Sequence, residues 1–266
     1  MSNATIKRAA ESLLMMLRAL KLPGFAAHYA ALAKTAEAEG LGFDEYLKRL
    51  CETEMTERGQ RKTERLLRLS GLPKDKTLAT LDQGRLAPAV KRQLPGLCTG
   101  DFADKGENVL AFGLPGRGKT HFCCAIAHEL IRRDKSVLFI PTYKLVQQLL
   151  IAKRDLLLQK ELRRLDGFDV IVLDDIGYVQ QERDEMEVLF TFLSERNERR
   201  SVMITSNLVF SQWDKIFKDT MTTACAIDRL VHKATIIEMT GSSYRSDAAK
   251  ARHGKAVEDA TASPSA

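Results

Sequence analysis

A chain of 266 residues with 44% hydrophobic, 29% charged and 6% aromatic side chains has the balance of a globular protein with a sizeable core, which excludes disordered and collagen-like classes. Its 41 Lys and Arg stand against 35 Asp and Glu, and the net charge of +6 permits a polyanionic partner without demanding one. No window approaches the roughly 18 uninterrupted apolar residues of a membrane span, charges interrupt the short apolar patch of MSNATIKRAAESLLMMLRALKLPG and no signal-peptide cleavage site follows it, and the five cysteines (Cys51, Cys98, Cys123, Cys124, Cys225) have neither CxxC nor metal-ligand spacing; the expectation is a cytoplasmic chain with reduced thiols and no membrane partner.

The first 72 residues read as an all-helical module. An amphipathic run over Ser12–Leu22 stops at Pro23-Gly24, a second run starts at Phe25, and a third begins at Phe43 after the Gly40-Leu41-Gly42 break. The basic part of the module is Thr56–Leu69. Arg58, Arg61, Arg65 and Arg68 fall at i, i+3, i+7 and i+10 and share about 80° of a helix, which suits either a solvated face or one that contacts phosphates. Residues 73–106 read as a linker with short helical pieces, broken at Gly84, Pro88, Pro95 and Gly96.

From residue 107 the pattern changes to β-branched runs at Val109–Phe112, Val137–Ile140, Val170–Leu173, Val202–Thr205 and Thr235–Glu238, separated by helical stretches. Such alternation predicts an α/β domain over 107–245 with a mostly parallel sheet covered on both faces. Residues 246–266, rich in small and charged side chains, lack the large hydrophobes that would hold a fold.

The strongest chemical signal follows the first predicted strand. Gly113-Leu114-Pro115-Gly116-Arg117-Gly118-Lys119-Thr120 satisfies the complete P-loop pattern and opens a helical run, His121–Arg132. Glycines let backbone N–H groups curl around phosphates at a helix N-terminus, a lysine at position 119 reaches the β- and γ-phosphates, and the Thr120 hydroxyl ligates magnesium. These residues, with His121 adjoining, are the expected site for ATP and Mg²⁺. A carboxylate should then close another buried strand, and Asp169-Val170-Ile171-Val172-Leu173-Asp174-Asp175 supplies two. Asp174 is expected in the Mg²⁺ shell, and Asp175 to orient or deprotonate the attacking water. Asn207, after the next strand, has the polar amide to meet a γ-phosphate or a water, though Ser-Asn is also ordinary turn chemistry. Arg229 precedes the last strand and suits either an arginine finger or a surface ion pair.

Between the second and third strands, Tyr143–Leu165 carries six Lys and Arg against two acids. Were it one helix, Lys153, Lys160 and Arg164 would align within about 40°, flanked by Arg154 and Arg163. The alternatives are a solvated amphipathic helix and a ridge that tracks nucleic acid.

Taken together, the helical N-terminal module, Gly106-Glu107-Asn108-Val109-Leu110 leading into the P-loop, the Asp169–Tyr178 block, Ile204-Thr205-Ser206-Asn207 with Trp213 soon after, Asp228-Arg229-Leu230-Val231-His232 and Gly241-Ser242-Ser243-Tyr244-Arg245 resemble the IstB family over residues 10–246. These are AAA+ ATPases that assist the transposases of bacterial insertion sequences and are related to DnaC helicase loaders. The resemblance implies a five-stranded AAA+ sheet, oligomerisation with ATP on duplex DNA, remodelling of that DNA, and recruitment and stimulation of an IstA-type transposase. It gives Asn207 the sensor-1 position and Arg229 the arginine-finger position, and it makes Tyr143–Leu165 the helical insertion that contacts DNA. Asp175 departs from the Glu common in AAA+ proteins, which implies slow, DNA- or partner-stimulated hydrolysis. A DnaC-like helicase loader is the alternative. Single-strand binding usually brings aromatic stacking platforms, and the basic runs here have none interleaved, which weakly favours duplex.

Overall fold

The computed structural model of the chain describes residues 3–178, 183–208, 230–241 and 243–244. It divides into two compact units, Met1–Arg65 and Leu66–Ala266. The first is helical, as expected: α1 (Asn3–Ala19), α2 (Pro23–Glu39) and most of α3 (Phe43–Ser70). Pro23 starts α2 where its missing N–H costs nothing, and Gly40 ends it in the left-handed conformation (φ 65°). Glu54 of α3, only 4% exposed, accepts a 2.6 Å hydrogen bond from the Gly24 N–H and so caps α2 from outside its own sequence.

The second unit is built on five parallel strands: β1 (Asn108–Phe112), β2 (Val137–Pro141), β3 (Val170–Asp174), β4 (Ser201–Ser206) and β5 (Ala234–Glu238). Their order in the sheet is β2-β3-β4-β1-β5, every pair parallel. The expected runs are recovered to within a residue at each end. Because successive side chains alternate across a sheet, Val109, Ala111, Val170, Val172 and Met203 enter one core layer and Leu110, Phe112, Ile171, Leu173, Val202 and Ile204 the other.

Three helices complete the first layer: α4 (Pro88–Thr99), the short α5 (Asp101–Asp104) and α6 (Lys119–Arg132). The second is closed by α7 (Thr142–Arg154), α8 (Leu158–Asp166) and α9 (Arg183–Arg196).

Two expectations need correction. Residues 73–106 are not a linker: Leu81, Leu86, Val90, Leu94, Leu97, Phe102 and Ala103 are buried in the same core layer as α6, and the boundary between the units falls at residue 65 rather than 72. Helix α4 also runs through Pro95 and Gly96, because burying its apolar face outweighs the hydrogen bond that a proline forfeits. Nor is Tyr143–Leu165 one helix. Asp155 caps α7, and Leu156 takes a left-handed conformation (φ 58°) before α8 begins, so the alignment of Lys153 with Lys160 and Arg164 along one continuous helix does not exist.

One buried cation organises the end of the sheet away from the P-loop. Arg196, 2% exposed, donates from its Nη atoms to the carbonyl oxygens of Leu165, Phe168, Asp169 and Ser201 at 2.9 to 3.3 Å. Burial draws its pKa down to about 10. Arg196→Leu leaves those carbonyls without their donor in a dry site and should cost on the order of 3 kcal/mol; thermal denaturation compared with a surface control, Arg199→Leu, measures it.

Candidate nucleotide site

The glycine loop leaves β1 and enters α6. Gly113 has φ 147°, and a Cβ there would lie 2.4 Å from the Met239 carbonyl oxygen, so no other residue fits. Gly118 caps α6 at φ 84°, with the Tyr244 ring 3.2 Å from where its Cβ would stand. The loop therefore packs between the β5 end and Tyr244, whose N–H donates to the Gly116 carbonyl at 2.9 Å.

A cavity of about 540 Å³ opens over this loop, within the size range of small-molecule sites. Pro115, Gly116, Gly118, Lys119, Thr120 and His121 line it from the P-loop side, and Asp174, Asp175, Thr205 and Asn207 from the ends of β3 and β4. Lys119 and Thr120, Asp174 and Asp175, and Asn207, drawn from three separate sequence motifs, thus meet where the parallel strands end, the usual place for a ligand in such a sheet. Gly113, Leu114 and Arg117, also expected to bind the nucleotide, do not line the cavity: the first two offer carbonyls to Lys119, and Arg117 donates to the Met239 carbonyl at 3.4 Å.

The polar groups form one connected network. Lys119, 7% exposed, donates to Gly113 O (2.6 Å), Leu114 O (3.0 Å) and Asn207 Oδ1 (2.7 Å). The Asn207 amide nitrogen in turn donates to both Asp175 oxygens, at 3.0 and 2.9 Å. Thr120 Oγ1 donates to Asp174 Oδ1 at 2.7 Å. A hydroxyl and a carboxylate this close, both hard oxygen donors facing the cavity, fit a magnesium ion that arrives with phosphates. Among the described residues no group of three or more His, Cys, Asp or Glu could hold an ion by itself.

Asp175 sits in the left-handed region at φ 60°, which Asp tolerates better than most non-glycine residues. Burial, and secondly the charge of Asp174, raise its pKa above the ordinary carboxylate value, while Asn207 and Lys119 oppose the shift.

Several lining residues had no expected role. Lys76, Thr80, Leu81 and Asp82 form one wall, held to the P-loop helix by His121 Nε2, which lies 3.1 Å from Thr77 O and 3.2 Å from Thr80 Oγ1. Tyr244 closes another side, its hydroxyl donating to Asp82 O at 3.3 Å and its ring 4.5 Å from the Arg85 guanidinium. In the sequence Tyr244 stands out only through the family resemblance, and the folding of residues 76–82 onto it depends on contacts remote in sequence. Arg229, Trp213 and Arg245 lie outside the described residues.

The arginines and lysines expected to meet DNA fall into two groups. Arg58 and Arg61 pair with Glu54, and Arg61 also with Glu57; Lys153 pairs with Asp184 and Glu187, Arg154 with Asp155, and Arg164 with Glu161. Arg65, Arg68, Lys160 and Arg163 are exposed and carry no ion pair among the described residues.

The family model described as IstB-like ATP binding protein matches residues 15–252. The chain belongs to that family. An insertion-sequence ATP-binding protein of Sinorhizobium fredii is 41% identical over 87% of this chain and 78% of its own length. A second relative, the ATP-binding protein of insertion sequence IS5376 of Geobacillus stearothermophilus, is 34% identical over 85% of this chain and 90% of its own. Among solved structures, DnaI superposes with a TM-score of 0.53 at 23% identity, covering 67% of this chain and 98% of DnaI. Domain III of the Thermotoga maritima replication initiation protein DnaA gives 0.53 at 16%, covering 71% and 77%. At those identities the two structures speak for the fold alone, the α/β fold of an AAA+ ATPase core. Among the described residues of this IstB-like chain, no helix is long and apolar enough to cross a membrane.

Proposed function

We propose that this IstB-like chain is an ATP-dependent regulator of insertion-sequence transposition. It binds Mg²⁺ and ATP, assembles with other copies on duplex DNA, remodels that DNA, and recruits and stimulates a cognate transposase. The observation that carries this reading is the convergence of Lys119, Thr120, Asp174, Asp175 and Asn207 on one nucleotide-sized cavity in a family whose relatives bear the names of insertion-sequence ATP-binding proteins.

In this reading Lys119 exchanges its carbonyl and amide partners for the β- and γ-phosphates. Thr120 and Asp174 hold the magnesium ion, which when bound neutralises charge on the phosphate oxygens. Asp175 takes the proton of the attacking water, a role that a raised carboxyl pKa suits, and Asn207 orients that water or the γ-phosphate. Arg229 is the proposed finger toward a neighbouring copy.

Hydrolysis is slow for two reasons. An Asp side chain is one methylene shorter than Glu, and Asp175 is held by both of its oxygens to Asn207.

Toward DNA, the exposed Arg65, Arg68, Lys160 and Arg163 offer charges with no carboxylate to give up among the described residues. Arg58, Arg61, Lys153, Arg154 and Arg164 exchange carboxylates for phosphates; most of these pairs are surface pairs of small worth. Assembly multiplies a modest charge per chain into a salt-sensitive footprint. The release of nucleotide-dependent contacts on hydrolysis then acts as a timer.

Fluorescence anisotropy with a duplex and a single strand of equal length, each with ATP, ADP and no nucleotide, tests the reading. The expected result is cooperative binding that prefers the duplex and requires ATP. Preference for the single strand would replace the transposition reading with that of a helicase loader, and no binding to either would remove DNA from the proposal.

A further inference from the structure

Thr205 was not singled out by its sequence, since it closes the run Val202-Met203-Ile204-Thr205 as an ordinary β-branched strand residue. Its surroundings are unusual. It is 1% exposed, and its hydroxyl joins both acids at the end of β3. Oγ1 lies 2.8 Å from Asp174 Oδ1 and 2.8 Å from the Asp175 backbone nitrogen.

The direction of each bond follows from the inventory of donors. An amide N–H only donates, so Oγ1 accepts from Asp175 and its single proton goes to the Asp174 carboxylate. The same Asp174 oxygen accepts from Thr120 Oγ1 at 2.7 Å. One buried hydroxyl on β4 thereby fixes the Asp174 carboxylate that faces Thr120. It also secures the backbone of Asp175 at the point where the chain turns left-handed (φ 60°) and carries its carboxylate to Asn207.

Resting on the ATP-hydrolysing reading above, we infer that Thr205 is a positioning residue: through its hydroxyl it holds Asp174 for the magnesium–nucleotide complex and Asp175 for the attacking water. With 1% exposure and its hydroxyl engaged by both acids, it acts through them. If Thr120 were to hold a metal, its hydroxyl would no longer serve Asp174 alone, and Thr205 would remain as the donor that keeps the carboxylate aligned. Partners of this kind typically govern metal affinity by 10- to 100-fold.

The test compares wild type, Thr205→Val and Thr205→Ser. Valine keeps the branched shape and strand preference but deletes both hydrogen bonds; serine keeps the hydroxyl. The first readout is the affinity of a fluorescent ATP analogue in EDTA and in Mg²⁺, whose ratio reports how strongly the metal supports binding. In wild type Mg²⁺ tightens binding. In Thr205→Val that tightening should shrink by about tenfold while the affinity in EDTA stays unchanged, and Thr205→Ser should restore it. The second readout is turnover: kcat of the valine variant should fall by roughly 10- to 100-fold, and its KM for Mg²⁺–ATP should rise by about tenfold, in step with the weakened binding.

A valine variant whose Mg²⁺ effect matches wild type overturns the inference. So does a serine variant as impaired as valine, or a wild type whose ATP affinity ignores Mg²⁺. If Thr205→Val does not fold, Thr205→Ala deletes the same hydroxyl without setting a methyl against a carboxylate and is read against serine instead. Wild type that binds with Mg²⁺ but never turns over sinks the hydrolysis reading alone, because the binding ratio still decides on Thr205.

Discussion

Lys119→Ala is expected to abolish nucleotide binding and, with it, any assembly on DNA that needs ATP. The Lys119 ammonium is nearly buried at 7% exposure, and its seat is made of acceptors: two P-loop carbonyls and the Asn207 side-chain oxygen. A cation so placed is ready to exchange those acceptors for phosphate oxygens without moving far. Each charge-assisted hydrogen bond in such a site contributes about 1.5 to 3 kcal/mol, so the loss of two lowers ATP affinity by roughly 10²- to 10⁴-fold. Alanine also leaves Gly113 O and Leu114 O without the donor that holds the loop curled, which adds to the loss. Isothermal titration with ATP and Mg²⁺ measures the first effect, and light scattering on a long duplex the second. Binding of ATP to the variant within tenfold of wild type would mean that the nucleotide does not sit over this loop.

The sheet and the P-loop were legible in the sequence because their signals are local. A run of four apolar, mostly β-branched residues closed by an acid, such as Val170–Asp174, suits a strand buried on both faces, and the glycine spacing of the P-loop is readable without knowing what it packs against. What stayed hidden depends on distant contacts. Nothing near Leu156 announces the end of α7, for the break contains neither Gly nor Pro, and the left-handed turn at Leu156 is one that sequence rules disfavour. The pairing of Lys153 with Asp184 and Glu187 spans more than 30 residues. Residues 73–106 looked like a linker because Pro and Gly punctuate them, yet their leucines, valine and phenylalanine reach the core. In the site itself, the acids at 174 and 175 and Asn207 could be named from strand ends, whereas Thr205 could not, because an inward threonine hydroxyl and an inward valine methyl give the same pattern.

The left-handed backbone at Asp175 bears on why a shorter acid stands there. Asp is enriched in that region relative to most non-glycine residues, because its short polar side chain can bond locally, and here it bonds to Asn207. A Glu would reach farther toward a water but lose that advantage. The slow hydrolysis proposed for this chain would then follow from the way β3 ends.

Asp175→Asn should therefore separate binding from turnover. The amide keeps the size of the carboxyl and one acceptor for Asn207, so ATP affinity should stay within about threefold, less than 1 kcal/mol. Turnover should fall by roughly 10²- to 10⁴-fold, the range for loss of a general base, and residence on duplex DNA with ATP should lengthen. The pH dependence carries the same signature. Burial and Asp174 raise the Asp175 pKa in the folded protein, so its contribution to stability is present below the ordinary carboxylate pKa and is lost as pH rises through the raised one. At neutral pH the ionised side chain is thus a cost, and the asparagine variant should melt higher than wild type without nucleotide, the difference vanishing in acid. Wild-type turnover should decline in acid as Asp175 gains a proton, an acid limb absent from whatever activity the variant retains. An asparagine variant that left DNA as fast as wild type would break the link between hydrolysis and release, because ATP would then be bound and intact while the assembly came apart.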